Sequence, residues 1–478
     1  MGPESISVRW RSARPGGSRF RGFGTPSGSA QSYEFWKGFQ HNGGETEFMI
    51  YPGESHGIRN PVHIEDRITC SRAWFNRHLK PSPLPRLPSP TLSPPSPECR
   101  AYCLTTLQRL VQINSVNPKL VPGAPGEREI AEYTAAQLGE LGLEVERYEP
   151  EPGRISVTGR LRGTGGGKSL MLNGHYDTVE VDGMAEPFSG AVRDGKLYGR
   201  GSFDMKGSVA ASITAVKLLQ ESGARLRGDV IVAAVADEEY GSCGTADLVQ
   251  RIKVDGAIVT EPTALEICLA HKGYLWIAVE TQGRAAHGSK VDQGRDANMR
   301  MGRFLGRLDR LEQELRRRLA HRLVGPPSLH AATLHGGTGL STYAANCRLE
   351  IERRTIPGET EASAMAEIQA LRSELEAEDP GFQSRVECFF AREPFEVSPE
   401  AGIVRSLAVG ALGVLGSPPK MVGDTPWMDS ALLAAAGVET VVFGPTGAGA
   451  HAAVEWVDLE SVYQTADVLA ATARHYCQ

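Results

Sequence analysis

The chain has 478 residues, of which 41% are hydrophobic and 23% charged, an ordinary globular composition with room for two to four domains. A formal charge of −6 gives no electrostatic footprint for nucleic acid or anionic lipid, and no apolar run approaches the roughly 18 residues that a membrane span needs. Eight scattered cysteines without a CxxC pair argue against thiolate zinc and thioredoxin-type chemistry and fit a reduced, cytoplasmic setting.

The first segment, MGPESISVRWRSARPGGSRFRG, lacks the apolar stretch of a secretory signal, and its Arg/Ser content leaves an organelle transit peptide as the alternative. Residues 1–31 read as a disordered Arg/Gly/Ser-rich segment. Next come an expected strand at 46–51 and a helix at 61–79. Between them GESHG is formally a G-x-S-x-G around Ser55, but IRNP follows where a nucleophile elbow needs a helix. Residues 32–80 instead resemble the C-terminal tail of a prolyl-oligopeptidase-type serine peptidase, through SYEFWKGFQHNGGETEFMIYPGESHG and AWFNRHL. The resemblance implies a triad histidine at His56, but the nucleophile and acid are missing. About 50 residues cannot rebuild that site, so the segment is expected to be catalytically silent. Residues 81–98 are Pro/Ser-rich and read as an extended linker.

From residue 99 the pattern is α/β. Amphipathic helices are expected at 100–117 and 128–142. Short apolar runs at 168–173, 229–235 and 256–260 read as buried parallel strands, with a helix at 206–222 as the crossover between the first two. The period then changes. Strands at 273–282, 329–335, 343–353 and 384–390 alternate with helices at 296–321 and 361–378, the βαββαβ order of a ferredoxin-like unit. Met301, Phe304, Leu305, Leu308, Leu311, Leu315 and Leu319 recur at helical spacing in the first of those helices. A helix near 400–413, a strand at 438–443 and a last helix from about 458 resume the first pattern. The expected fold is α/β: a discontinuous catalytic domain (99–272 and 392–478) with a mostly parallel sheet flanked by helices, interrupted by an inserted ferredoxin-like domain (273–391).

Metal-ligating residue types follow the expected strands directly: His175 and Asp177 in NGHYDTV, Asp204 in GRGSFDMKG, Glu238 and Glu239 in ADEEYGS, and Glu261 in VTEPT. His451 in GPTGAGAHAAVEW comes near the end of the chain. Ligands bind at the carboxyl ends of strands in open α/β sheets. Four carboxylates converging there without partners would cost several kcal/mol, so cations are expected to hold them. On an extended strand His175 and Asp177 share a face, so Asp177 is placed to orient the imidazole. Asp204, in a Gly-rich turn, is the candidate bridge between two metals. Of Glu238 and Glu239, one is expected to bind metal while the other acts as general base.

On these motifs residues 99–478, about four-fifths of the chain, resemble the metal-dependent amidohydrolase and exopeptidase family that contains acetylornithine deacetylase, succinyl-diaminopimelate desuccinylase, carboxypeptidase G and aminoacylase. The resemblance implies one zinc on His175, Asp204 and Glu261 and a second on Asp204, Glu239 and His451, with cobalt or manganese as alternative ions. It makes Glu238 the base and Asp177 the residue that orients His175. It implies that His287 in GRAAHGS reaches a neighbouring subunit's site and supports an oxyanion. Asn346 and Arg354 match positions that bind a substrate carboxylate, with Arg353 the adjacent alternative. Gly444 and Gly447 in the loop before His451 are expected to allow close backbone approach to substrate.

The function that follows is hydrolysis of the amide bond of N-acyl amino acids in the manner of acetylornithine deacetylase. A dipeptidase, carboxypeptidase or aminoacylase of the same family is the alternative. The expected partners are a small N-acyl amino acid or short peptide and a second copy of the chain, joined through the inserted domain. A non-catalytic, metal-binding dimeric homologue is the reading from another class, and the intact Glu238 speaks against it.

Overall fold

A computed structural model describes residues 20–24, 46–50, 69 and 97–478. The chain forms two compact units, Met1–Ser89 and Pro90–Gln478. In the first, Phe20–Gly24 and Thr46–Ile50 pair in parallel. The second of these is the strand expected there. The first falls in the stretch read as disordered and is ordered by that pairing. The expected helix at 61–79, His56 and nearly all of the linker lie outside the described residues.

The second unit is built on a nine-stranded sheet. From one edge its order is Phe395–Glu396, Ile267–His271, Glu439–Val442, Gly256–Val259, Leu170–His175, Val230–Val235, Arg154–Leu161 and Glu144–Glu151, with Met421–Asp424 also paired to Ile267–His271. The four strands at its centre are parallel. They are apolar on both faces because helices cover both. Leu170, Leu172, Val230 and Val232 pack with the helices Pro97–Gln112, Gly207–Glu221, Gly402–Leu415 and Leu459–Tyr476. Their neighbours Met171, Ile231 and Ala233 join a second cluster with Cys243–Arg251 and Ser430–Ala435. Strands from before and after the 273–391 stretch lie side by side in this one sheet, so the body is discontinuous in sequence.

The 273–391 stretch makes its own antiparallel sheet in the order Ser328–Gly336, Asn346–Thr355, Gly273–Gln282, Gln383–Arg392. Numbered within the stretch this is 2-3-1-4, with the helices Ala297–Arg317 and Glu361–Glu378 over one face. Leu275, Ile277 and Val279 alternate inward against Met301, Phe304, Leu308, Leu311 and Leu315. The expected helix at 296–321 overran by four residues at its C-terminal end. The helix ends at Arg317, and Leu319 is 93% exposed beyond it.

Three strand pairings were not legible in the sequence. Glu144–Glu151 (EVERYEPE) carries four glutamates and an arginine, yet pairs with Arg154–Leu161 through a turn at Gly153 with φ of +81°. Ile267–His271 is buried but only five residues long. A small sheet of Gly447–Ala448, Trp456–Asp458, Lys196–Tyr198 and Ala191–Arg193 ties the His451 loop to the stretch before Asp204.

Candidate metal centre

All five expected metal ligands, His175, Asp204, Glu239, Glu261 and His451, converge at the carboxyl ends of the central parallel strands. His175 is the last residue of its strand, Glu238 and Glu239 follow Val235, and Glu261 follows Val259 by two residues. Their oxygens and nitrogens form two overlapping sets, His175–Asp204–Glu261 and Asp204–Glu239–His451, each with its donor atoms within 4.8 Å of one another. His175 Nε2 lies 3.1 Å from Asp204 Oδ1 and 3.6 Å from Glu261 Oε1. His451 Nε2 lies 3.0 Å from Glu239 Oε2 and 3.4 Å from Asp204 Oδ2. The two oxygens of Asp204 thus face different sets, as a bridging carboxylate must.

The charges of these side chains are in conflict. Burial, reinforced by neighbouring carboxylates, drives Glu238 and Glu261 far above the ordinary carboxyl range, and burial beside Asp204 pushes Glu239 up to about 7. Hydrogen bonds to Asp204 and Glu239 raise His451 to about 10. Burial opposes a proton on His175, but its contacts to Asp177 and Asp204 prevail and raise it well above the imidazole range. Protons here do what divalent cations would do better. Mixed imidazole and carboxylate donors suit zinc, cobalt or manganese, and the residues fit such ions.

Asp177 organises the site from beneath. His175 Nδ1 lies 3.1 Å from the Asp177 carbonyl oxygen and 3.6 Å from its carboxylate, so orientation comes from the expected residue but chiefly through its backbone. The carboxylate accepts the backbone N–H groups of Glu238 (3.1 Å) and Glu239 (3.3 Å) and the Asn117 amide (2.9 Å). Asn117 also donates to Asp237, which pairs with buried Arg154 at 2.6 Å. Asp237, at φ +72°, turns the chain so that Glu239 joins His451 while Glu238 faces the cavity. None of Asn117, Arg154, Asp237 or the buried Asp429 behind the site was found from the sequence. The Asn117–Asp177, Asn117–Asp237, Arg154–Asp237 and Thr245–Asp429 contacts join residues 60 to 184 positions apart, and no local motif marks them.

A cavity of about 420 Å³ opens over the two sets. Glu238, Glu239, Glu261 and His451 line one side, and Tyr274, Trp276, Arg354 and Trp427 another. The Arg353/Arg354 alternative resolves on strand alternation. Arg353 is fully buried and held by Glu359 (2.7 Å) and Glu367 (3.2 Å), whereas Arg354 faces the cavity. Asn346 and His287 do not line it. Arg354 pairs with Tyr274 and Asn346 with Gln282, eight residues along the same strand or about 27 Å at ~3.4 Å per residue. His287 is exposed beyond that far end, its Nδ1 2.9 Å from Ser289 Oγ. Gly444 also differs from expectation. It packs on the Thr260–Glu261 backbone, where an added Cβ would sit 2.4 Å from the Glu261 carbonyl oxygen, so it supports a ligand strand rather than facing the cavity.

Comparisons with known proteins agree with this geometry. The profile of Peptidase family M20/M25/M40 matches residues 171–475. Acetylornithine deacetylase from Myxococcus xanthus is 30% identical over 386 residues, covering 78% of this chain and 97% of the relative. N-formyl-4-amino-5-aminomethyl-2-methylpyrimidine deformylase from Bacillus subtilis (strain 168) is 28% identical over 380 residues, covering 73% and 89%. Among solved structures, the aminopeptidase PepT from Bacillus cereus superimposes with a TM-score of 0.65 at 18% identity, over 79% of this chain and 99% of that one. The metallo-carboxypeptidase Sso-CP2 from Sulfolobus solfataricus gives 0.64 at 19%, over 78% and 99%.

Proposed function

Because the chain belongs to peptidase family M20/M25/M40, we propose that it is a hydrolase that cuts the amide bond of N-acyl amino acids, N-acetylornithine first among them, at a pair of divalent metal ions. The observation that carries this reading is the pair of three-donor sets sharing Asp204, with Glu238 beside them and in neither. The ions, zinc in the first instance, would polarise the scissile carbonyl and acidify the attacking water.

The remaining steps belong to the chain's own residues. Glu238, half-buried on the cavity wall and outside both donor sets, takes a proton from water and delivers it to the leaving amine. Asp177 holds the backbone of Glu238 and Glu239 and keeps the base aimed at the cavity. Arg354, on the cavity wall, meets the substrate carboxylate. Dipeptides are the runner-up substrates, since their free carboxylate suits Arg354 equally well.

His287 and Asn346 lie too far from their own chain's cavity to touch substrate there, so they act in the site of a second copy. The antiparallel edge strand Ser328–Gly336, exposed along most of its length, supports a dimerisation role for the 273–391 stretch. We place its setting in the cytoplasm.

The experiment is a panel of N-acetyl, N-succinyl and dipeptide substrates incubated with zinc-loaded protein. Release of free amine that stops on chelation supports the reading. Failure to hydrolyse any member of the panel overturns it.

A further inference from the structure

Besides the metal-ligand sets, the cavity is lined by aromatic side chains. Tyr274 and Trp276 come from the first strand of the 273–391 stretch, and Trp427 from the loop after Met421–Asp424. Tyr274 lies 5.4 Å from Trp276 and 6.3 Å from Trp427, the latter pair edge-on at 82°. Aromatic rings from two parts of the fold thus line the cavity.

The charges on that lining are nearly self-cancelling. Glu352 Oε1 accepts from Arg354 Nε at 2.7 Å, and its Oε2 accepts from Trp276 Nε1 at 3.2 Å. The four carboxylates of the metal side balance two divalent cations. One cavity carboxylate is left over, Asp424. It is partly buried, its Oδ1 accepts the Thr425 N–H at 2.7 Å, and it has no cationic partner among the described residues. Tyr274 and Trp427 already carry the guanidinium groups of Arg354 and Arg392 over their rings, at 5.0 and 5.5 Å, so a lone carboxylate in the same cavity as the partly exposed Trp276 is the pairing that selects a cation over a neutral group.

We propose that Asp424, which lines the cavity together with Trp276, reads a positively charged group at the end of the substrate's side chain. Asp424 is then a specificity residue rather than a participant in bond cleavage, and the preferred substrates are N-acylated basic amino acids. The inference rests on the amide-hydrolase reading for turnover but not for binding, and the test separates the two.

The test compares N-acetyl-L-ornithine with N-acetyl-L-norvaline, which has the same carbon chain without the ammonium, on zinc-loaded wild type and Asp424→Asn. In parallel, calorimetry measures binding of the products L-ornithine and L-norvaline, a readout that needs no turnover. The expected result is a wild-type kcat/KM ratio of about ten or more in favour of the ornithine compound, falling towards one in Asp424→Asn, with product binding following the same pattern. A ratio unchanged by the substitution overturns the proposal, as does a wild-type preference for norvaline. If neither N-acetyl compound is hydrolysed, N-acetylornithine fails as the substrate and calorimetry still decides. Ornithine selectivity that Asp424→Asn abolishes supports the subsite, while equal binding or no binding of ornithine sinks it.

Discussion

The carboxylate of Glu455 holds the turn that carries Asp204. Its Oε1 accepts the backbone N–H groups of Asp204 and Phe203, both at 3.0 Å, and its Oε2 accepts Gly201 N–H at 3.0 Å and Arg200 Nη1 at 2.7 Å. Glu455 is 1% exposed and stands four residues after His451, so one buried side chain ties the bridging ligand to the loop of the most distant ligand in sequence. Glu455→Gln keeps the volume but turns an amide donor towards a site made only of donors. The expected result is a roughly 10- to 100-fold loss of metal affinity by chelator competition, as for other residues that support ligands from behind. Urea denaturation is expected to show a loss of about 3 kcal/mol, because Arg200 is left without its buried partner.

Metal binding and protonation compete for the same atoms. In the metal-free protein His451 is raised to about 10 and Glu239 to about 7, so at neutral pH protons occupy groups that a metal must displace. Apparent metal affinity therefore rises with pH across the window from about 7 to 10 and falls on acidification. Titration calorimetry at pH 7.5 in buffers of different ionisation enthalpy is expected to show release of about one proton or more per chain. No buffer dependence would contradict the assignment of His451 as a ligand.

Arg353 and Arg354 are neighbours with opposite tasks. Arg353→Ala leaves Glu359 and Glu367 facing a buried gap and is expected to cost about 3 kcal/mol in urea denaturation. Arg354→Ala is expected to raise KM for carboxylate-bearing substrates with little change in stability, since Arg354 is partly exposed and balanced by Glu352. Reversal of the two phenotypes would show that the strand alternation has been misassigned.

Glu238 belongs to neither metal-ligand set. Glu238→Ala is expected to keep full metal content by elemental analysis while kcat falls roughly 100- to 10,000-fold, the usual contribution of a general base. Metal loss in parallel with activity would make Glu238 a ligand instead.

The sequence disclosed the parts of the site that sit where apolar strands stop, because a buried parallel strand and its terminal ligand are both local patterns. His175, Glu238, Glu239 and Glu261 were legible for that reason. So was the βαββαβ stretch, whose strands and helices differ in period. What stayed hidden depends on distance in the chain. Glu455 meets Asp204 across 251 residues and Arg154 meets Asp237 across 83, with no spacing to betray either. The strand EVERYEPE was masked by its own charges, which an edge strand carries outward without penalty. Gly444 was assigned to substrate because its loop is glycine-rich, yet the space its missing side chain leaves is filled by the Glu261 backbone.

The most direct test of the two-ion centre is to strip the protein of metal, measure hydrolysis of N-acetyl-L-ornithine, and reload it by titration with zinc. The expected result is loss of turnover on stripping and recovery as the metal content approaches two ions per chain. Full turnover by the stripped protein would contradict it.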